Sequence, residues 1–139
     1  MQFTEDQKKV IETRNKNILV SAAAGSGKTA VLVQRILSRI TGKDPIDIDR
    51  LLIVTFTSAA AAERRERIHA ALLQAQTEHP EDENLQRQAA LIHNAQITTI
   101  DSYCMFLLRN HFHEIDLDPS FRIGDPGEIR LLEKDVMQA

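Results

Sequence analysis

Hydrophobic and polar positions along the chain fall into two patterns. Asn17-Ile18-Leu19-Val20-Ser21 and Leu51-Leu52-Ile53-Val54-Thr55 are short continuous apolar runs bounded by turn formers. Such runs predict buried strands of a parallel sheet covered on both faces. Gln96–Thr99 predicts a third short strand. Between the first two, the small residues Ala22-Ala23-Ala24-Gly25-Ser26-Gly27 break the extended pattern. From Lys28 the spacing turns helical, with Val31, Leu32, Ile36, Leu37 and Ile40 on one face. Gly42 is expected to stop this helix in a left-handed conformation, with Pro45 just beyond. Strand, glycine loop, helix and strand together predict a right-handed βαβ unit.

Capping signals mark the other helices. Thr4-Glu5-Asp6-Gln7 reads as a capping box, opening a helix to about Arg14. Ser58 is expected to cap an alanine-rich helix from about Ala59 to Gln76. The acidic stretch Thr77–Asn84, which contains Pro80, predicts a solvated surface loop, and a helix from about Leu85 to Asn94 follows it. Asp101 or Ser102 is expected to cap a helix carrying Tyr103, Phe106, Leu107 and Leu108. Asp125-Pro126-Gly127-Glu128 supplies an N-cap, a first-turn proline and an acid at the third position. The helix it opens runs through Ile129, Leu131, Leu132 and Val136 with no closing signal before Ala139. That predicts a chain truncated within a helix, the front piece of something longer.

Composition narrows the class. The 139 residues, 42% apolar and 27% charged, suit one compact domain and exclude a disordered tail, a collagen-like fibre or a disulfide-stapled miniprotein. No apolar run approaches the roughly 18 residues of a membrane span. The opening MQFTEDQKKV mixes acids with bases where a signal peptide needs an apolar core. A cytoplasmic, membrane-free protein is the expectation. Cys104, the only cysteine, excludes an internal disulfide and reads as a buried helix residue. His111 and His113, two apart, do not face one metal. Charge is uneven: residues 1–75 carry 12 Lys/Arg against 8 Asp/Glu, and residues 76–139 carry 5 against 12. A basic first half suits a polyanion.

The sharpest chemical signal is Ala22-Ala23-Ala24-Gly25-Ser26-Gly27-Lys28-Thr29, followed by Ala30. It fits the phosphate-binding pattern [AG]-x-x-x-x-G-K-[ST] between a predicted strand and a predicted helix. Gly25 and Gly27 let the backbone curl so that successive N–H groups point at phosphate oxygens. Lys28 is expected at the β/γ-phosphates, and the Thr29 hydroxyl is the expected ligand for Mg²⁺. Alanine at position 22 is tolerated provided its φ stays negative. ATP with Mg²⁺ is the expected cofactor pair. Gln7 fits either an adenine-reading amide or the capping box. Phe56 with Thr55 and Thr57, at the end of the strand Leu51–Thr55, offers a stacking ring and two hydroxyls where such sheets bind ligands. The bland alternative there is a core phenylalanine followed by a solvated Arg/Glu helix face. Thr99 and Ser102 present hydroxyls at another strand end.

These segments, in this order, resemble superfamily 1 DNA helicases of the UvrD/PcrA/Rep type. The members have a glutamine motif, a GAGSGKT-like loop, a TFTNxAAxEM-like motif and a TxHSF-like motif. AAAGSGKTAVLVxRI, VTFTSAAAAExRERI and HEIDLDPSFRIGD look closest to the AddA branch, the helicase/nuclease A subunits. The resemblance covers nearly the whole chain. It implies a three-layer α/β, RecA-like P-loop fold with a parallel sheet, of which residues 1–139 form the N-terminal part of the first motor domain. Residues 77–95 are then a loop/helix insertion. It also implies adenine contact by Gln7 and a single-stranded DNA path lined by Thr55, Phe56, Thr57, Thr99 and Ser102.

For the whole protein the resemblance implies ATP-driven 3′→5′ movement on single-stranded DNA and duplex unwinding in double-strand break repair and recombination. An associated exonuclease and a second, AddB-like subunit are implied as well. Two positions depart from the family pattern: Asp101 stands where histidine is usual, and Arg64 replaces a methionine. No strand ending in paired Asp-Glu supplies a base, so the fragment alone is expected to be inactive. The rival readings are a small-molecule kinase or GTPase, and a non-catalytic P-loop module that binds DNA.

Overall fold

The computed structural model describes residues 2–138 and divides the chain into two units, residues 1–103 and 104–139. The first unit opens with α1 (Glu5–Glu12), whose capping box forms as the sequence predicts: Thr4 Oγ1 accepts from the Gln7 amide, and Gln7 Oε1 accepts from the Thr4 amide. Helix α2 (Lys28–Thr41) buries Val31, Ile36 and Ile40 along one stripe. Strand β1 (Leu52–Thr55), helices α3 (Ser58–Glu78) and α4 (Glu83–Leu91), and strand β2 (Gln96–Thr99) follow. β1 and β2 are parallel and in register, Leu52 opposite Gln96 and Thr55 opposite Thr99. Helix α5 (Ile100–His111) leaves the end of β2 directly.

The core is mostly isoleucine. Ile36 and Ile40 from α2, Ile53 and Ile97 from the sheet, and Ile68 and Leu72 from α3 meet Ile48, Leu85, Ile92 and Ala95. A side chain of this kind contributes about 1.5–3 kcal/mol when fully buried. The cluster therefore holds α2, α3, α4 and the sheet together. Residues 83–95, read from sequence as part of an insertion, supply Leu85, Ile92 and Ala95 to it. Gln88 is its fully buried polar member. Its Oε1 accepts from the Ile48 amide at 2.8 Å, and its Nε2 donates to Asp47 Oδ1 at 2.8 Å and Asn84 Oδ1 at 3.1 Å.

Several expectations are corrected here. Residues 17–21 are not a strand: Leu19 is 97% exposed, and neither strand present pairs with the segment. An apolar run becomes a strand only where a neighbour completes its hydrogen-bond ladder. The parallel pair is therefore β1 and β2, connected through α3 and α4, rather than two strands flanking the glycine loop. The sheet is covered on one face; Leu52 and Val54 on the other are 47% and 43% exposed. Gly42 is extended (φ −74°), not left-handed, and matters by close approach instead: a Cβ there would lie 2.6 Å from the Ser38 carbonyl oxygen. Thr57, not Ser58, caps α3, and Asp82 caps α4 two residues earlier than the sequence predicts.

The second unit comprises the later turns of α5, a 3₁₀ turn (Phe112–Ile115) and α6 (Pro126–Gln138), and neither α5 nor α6 has a buried residue. Cys104 is exposed, which overturns its reading as a buried residue. The predicted start of α6 forms: Asp125 Oδ1 accepts from the Gly127 amide at 2.8 Å, and Glu128 reaches back to the Asp125 amide at 3.2 Å. Ala139 lies outside the described residues.

Candidate functional site

The glycine loop is built by its own backbone. Gly25 and Gly27 lie in the left-handed region, φ +78° and +79°, where side chains other than glycine are strained. Between them the Ser26 amide closes a turn on the Ala23 carbonyl at 3.3 Å. Ala22 has no positive φ, the condition on which alanine is tolerated there. Gly27 then caps α2 without a side chain, so the first amides of the helix face outward with no side-chain acceptor. Residues 21–26 are exposed. Lys28 Nζ folds back to donate to the carbonyls of Ala22 (2.5 Å) and Ala23 (2.7 Å), which holds its charge against the loop. The half-buried Thr29 hydroxyl has no hydrogen-bond partner among the described residues, so it is available to a cation. Ala30, in the first turn of α2, turns its side chain into a groove between α2 and α3 that Phe3 and Ala71 also line.

Gln7 is drawn into this loop. Besides its part in the capping box, its Nε2 donates to the Ser26 carbonyl at 3.1 Å. The helix that carries it is fastened to α2 by two arginines. Arg35 donates to the carbonyls of Val10 and Thr13, and Arg14 to the carbonyl of Ile11 and the hydroxyl of Ser38. Burial, then the nearby charges of Arg14 and Arg39, push the Arg35 pKa below its ordinary value. Sequence reasoning missed this pair. The excess of base in the first half was the available signal, and part of it serves backbone carbonyls rather than a polyanion.

At the far end of β1 a second feature forms. Val54, Thr55, Phe56, Thr57, Ala60, Arg64 and Ile100 line a recess of about 500 Å³. Phe56 is 92% exposed, so the core-phenylalanine alternative fails. Thr55 is buried, its hydroxyl donating to the Thr57 carbonyl at 2.9 Å; the Thr57 hydroxyl accepts from the Ala60 amide at 3.2 Å. Thr99 and Ser102 stand at the neighbouring strand end but do not line the recess. The Thr99 hydroxyl donates to Ser102 Oγ (2.9 Å) and accepts from its amide (3.1 Å), so Thr99, rather than Asp101 or Ser102, caps α5.

A left-handed glycine loop opening a helix beside a parallel α/β unit has the shape of the P-loop class, although no strand precedes the loop. The family model of the UvrD/REP helicase N-terminal domain matches residues 3–139, and the chain belongs to that family. It is 61% identical over 136 residues to the A subunit of the ATP-dependent helicase/nuclease from Lachnoclostridium phytofermentans, covering 97% of this chain and 10% of that protein. The corresponding A subunits from Clostridium perfringens and Clostridium acetobutylicum are 56% and 55% identical, over 97% and 98% of this chain and 11% of each relative. The chain thus spans about a tenth of the length of these curated relatives. Among the described residues no helix is long and apolar enough to cross a membrane, and no three His, Cys, Asp or Glu side chains group to hold a metal ion.

Proposed function

We propose that this chain is the ATP-binding front of a three-layer, RecA-like motor domain in a helicase/nuclease protein. That protein moves 3′→5′ along single-stranded DNA and unwinds duplex DNA in double-strand break repair and recombination. The observation that carries the proposal is the loop itself: two left-handed glycines opening α2, with Gln7 bonded to the residue between them. The names of the relatives support the helicase and nuclease activities of the whole protein. Because those relatives are named as A subunits, they also support a partner subunit, which in this reading is of the AddB type. The cytoplasm is the proposed location.

Each residue has a distinct task in the proposed mechanism. Amides from Ala23 to Ala30 cradle the triphosphate, and Lys28 moves from the Ala22 and Ala23 carbonyls to the β/γ-phosphates. There it stabilises the charge that builds as the terminal phosphoryl group leaves. Thr29 would hold Mg²⁺, which when bound neutralises phosphate charge. Thr29 fits because its hydroxyl is otherwise unpartnered among the described residues. Phe56 stacks a base of single-stranded DNA beside Thr55 and Thr57, with Thr99 and Ser102 on the adjacent strand end. The sequence holds no apolar strand ending in paired Asp-Glu to orient an attacking water, so the 139-residue chain alone is expected to turn over essentially no ATP.

The test is Lys28→Ala in the full-length protein. ATP hydrolysis and unwinding should fall by at least about a hundredfold, on the order of removing one transition-state donor. Unwinding that survives would exclude the motor. Duplexes with 3′ or 5′ single-stranded tails test the direction, and only the 3′-tailed duplex should be opened.

A further inference from the structure

The three arginines of Glu63-Arg64-Arg65-Glu66-Arg67 have separate fates. Arg67 pairs with Glu63 at 2.8 Å. Arg65 turns inward, donating to the carbonyls of Ile92 (3.0 Å), Ile97 (3.1 Å) and Ala95 (3.4 Å). Arg64 alone has no hydrogen bond or ion pair among the described residues. It is half-buried and lines the recess beside Phe56, Thr57 and Ala60. A long helical side chain leans toward the helix N-terminus, which carries Arg64 over Ala60 and toward the exposed ring. The nearest acid in sequence, Glu63, is already taken by Arg67, and no acid lies in the first turn of α3.

A lone guanidinium beside an upturned aromatic ring is a pairing suited to one nucleotide: the ring takes the base, the cation its phosphate. We infer that Arg64 is a phosphate contact of the single-stranded DNA path, binding the nucleotide whose base stacks on Phe56. This rests on the proposed DNA path and deepens it. The motif that the sequence resembles has a methionine at this position, so the contact is an addition to the path implied by that resemblance.

Salt dependence isolates the contact, because each phosphate neutralised on a single strand adds about 0.7 to the slope of log K against log salt. The experiment compares oligothymidylate binding by the full-length protein and its Arg64→Met, Arg64→Lys and Phe56→Ala variants, from low to moderate salt. Equal ATP-analogue binding by all four proteins serves as the folding control. Arg64→Met should bind several-fold more weakly at low salt with its slope reduced by about 0.7, and Arg64→Lys should keep the slope. Phe56→Ala should lose affinity with the slope unchanged. If Arg64→Met keeps the full slope while Phe56→Ala still binds weakly, the inference is overturned and the DNA path stands. If neither Arg64→Met nor Phe56→Ala alters binding, the path at this strand end fails and the inference fails with it.

Discussion

Gln7 and Ser26 join the first helix to the glycine loop: Gln7 Nε2 donates to the Ser26 carbonyl at 3.1 Å while Gln7 Oε1 accepts from the Thr4 amide at 2.9 Å. Both ends of one amide are thus engaged by the protein, leaving one Nε2 hydrogen and one Oε1 lone pair for a nucleotide. A Cβ on Gly27 would already lie 3.5 Å from Gln7 Nε2, so the side chain rests on the loop.

Gln7→Ala should therefore loosen the loop as well as uncap α1. Losing hydrogen bonds worth about 1 kcal/mol predicts a roughly fivefold loss of nucleotide affinity. Equilibrium titration of the full-length protein with ATP and GTP analogues reads the mechanism. A purely positional Gln7 weakens both nucleotides equally, whereas an adenine-reading Gln7 weakens ATP alone.

Arg65 makes a stability prediction. Its planar fork spans carbonyls of residues 92, 95 and 97, which lead into and form β2. Hydrogen bonds from a charged donor contribute about 1.5–3 kcal/mol, and Arg65→Met removes the donor while its partners remain. A loss of about 2 kcal/mol is expected, read as faster amide exchange along β2 in the full-length protein. Arg65→Lys should recover only part, because an ammonium cannot span the same carbonyls. Unchanged exchange in Arg65→Met would show that the fork is dispensable.

What the sequence reveals is what neighbours along the chain decide. The Thr4–Gln7 capping box, the stripe of Val31, Ile36 and Ile40, and the Asp125–Glu128 start of α6 all depend on spacings of five residues or fewer. The curl of the glycine loop is legible for the same reason, since two glycines and a following helix suffice to form it. Phe56 with Thr55 and Thr57 is legible because a strand end presents consecutive residues together. Partners distant in sequence are not. Nothing in Ile18-Leu19-Val20 says whether a neighbouring strand will complete its ladder. Nothing in the composition distinguishes Arg65, turned toward carbonyls, from Arg64, left beside an aromatic ring. Adjacent hydroxyls at Thr57 and Ser58 also cap equally well on paper, and backbone geometry selects the first.

The second unit carries a pH prediction. The hydrogen bond from Arg122, at 2.5 Å, and then that from the Asp125 amide hold the Glu128 carboxyl below its ordinary pKa. A depressed carboxyl pKa contributes stability above the unfolded value and loses it as pH falls through the folded one. The first turn of α6 should stay formed from neutral pH down to the ordinary carboxylate range of about 4.3 and fray below it. Chemical shifts of the Asp125 and Gly127 amides would follow this on titration. Glu128→Gln should remove this carboxyl's share of the acid transition, and an unaltered transition would assign it to other groups such as Asp118. Asp118 is also depressed, by the Ser120 side chain and then its backbone amide.

Gln88 separates packing from hydrogen bonding in the core. Gln88→Leu fills similar space but strands the Ile48 amide, and leaving one buried donor unsatisfied costs about 1–3 kcal/mol. Gln88→Glu keeps the acceptor for Ile48 and replaces the donor to Asp47 with a buried carboxylate facing an acid. Desolvation and that neighbour raise the new carboxyl's pKa in the folded state, so its penalty should be greatest at neutral pH and shrink as pH falls. Denaturant unfolding at about pH 7.5 and about pH 5 would therefore show Gln88→Glu recovering toward the parent protein on acidification, while Gln88→Leu stays equally destabilised at both. A Gln88→Glu penalty independent of pH would place its cause in shape rather than charge, and the buried amide would then matter only for the space it fills.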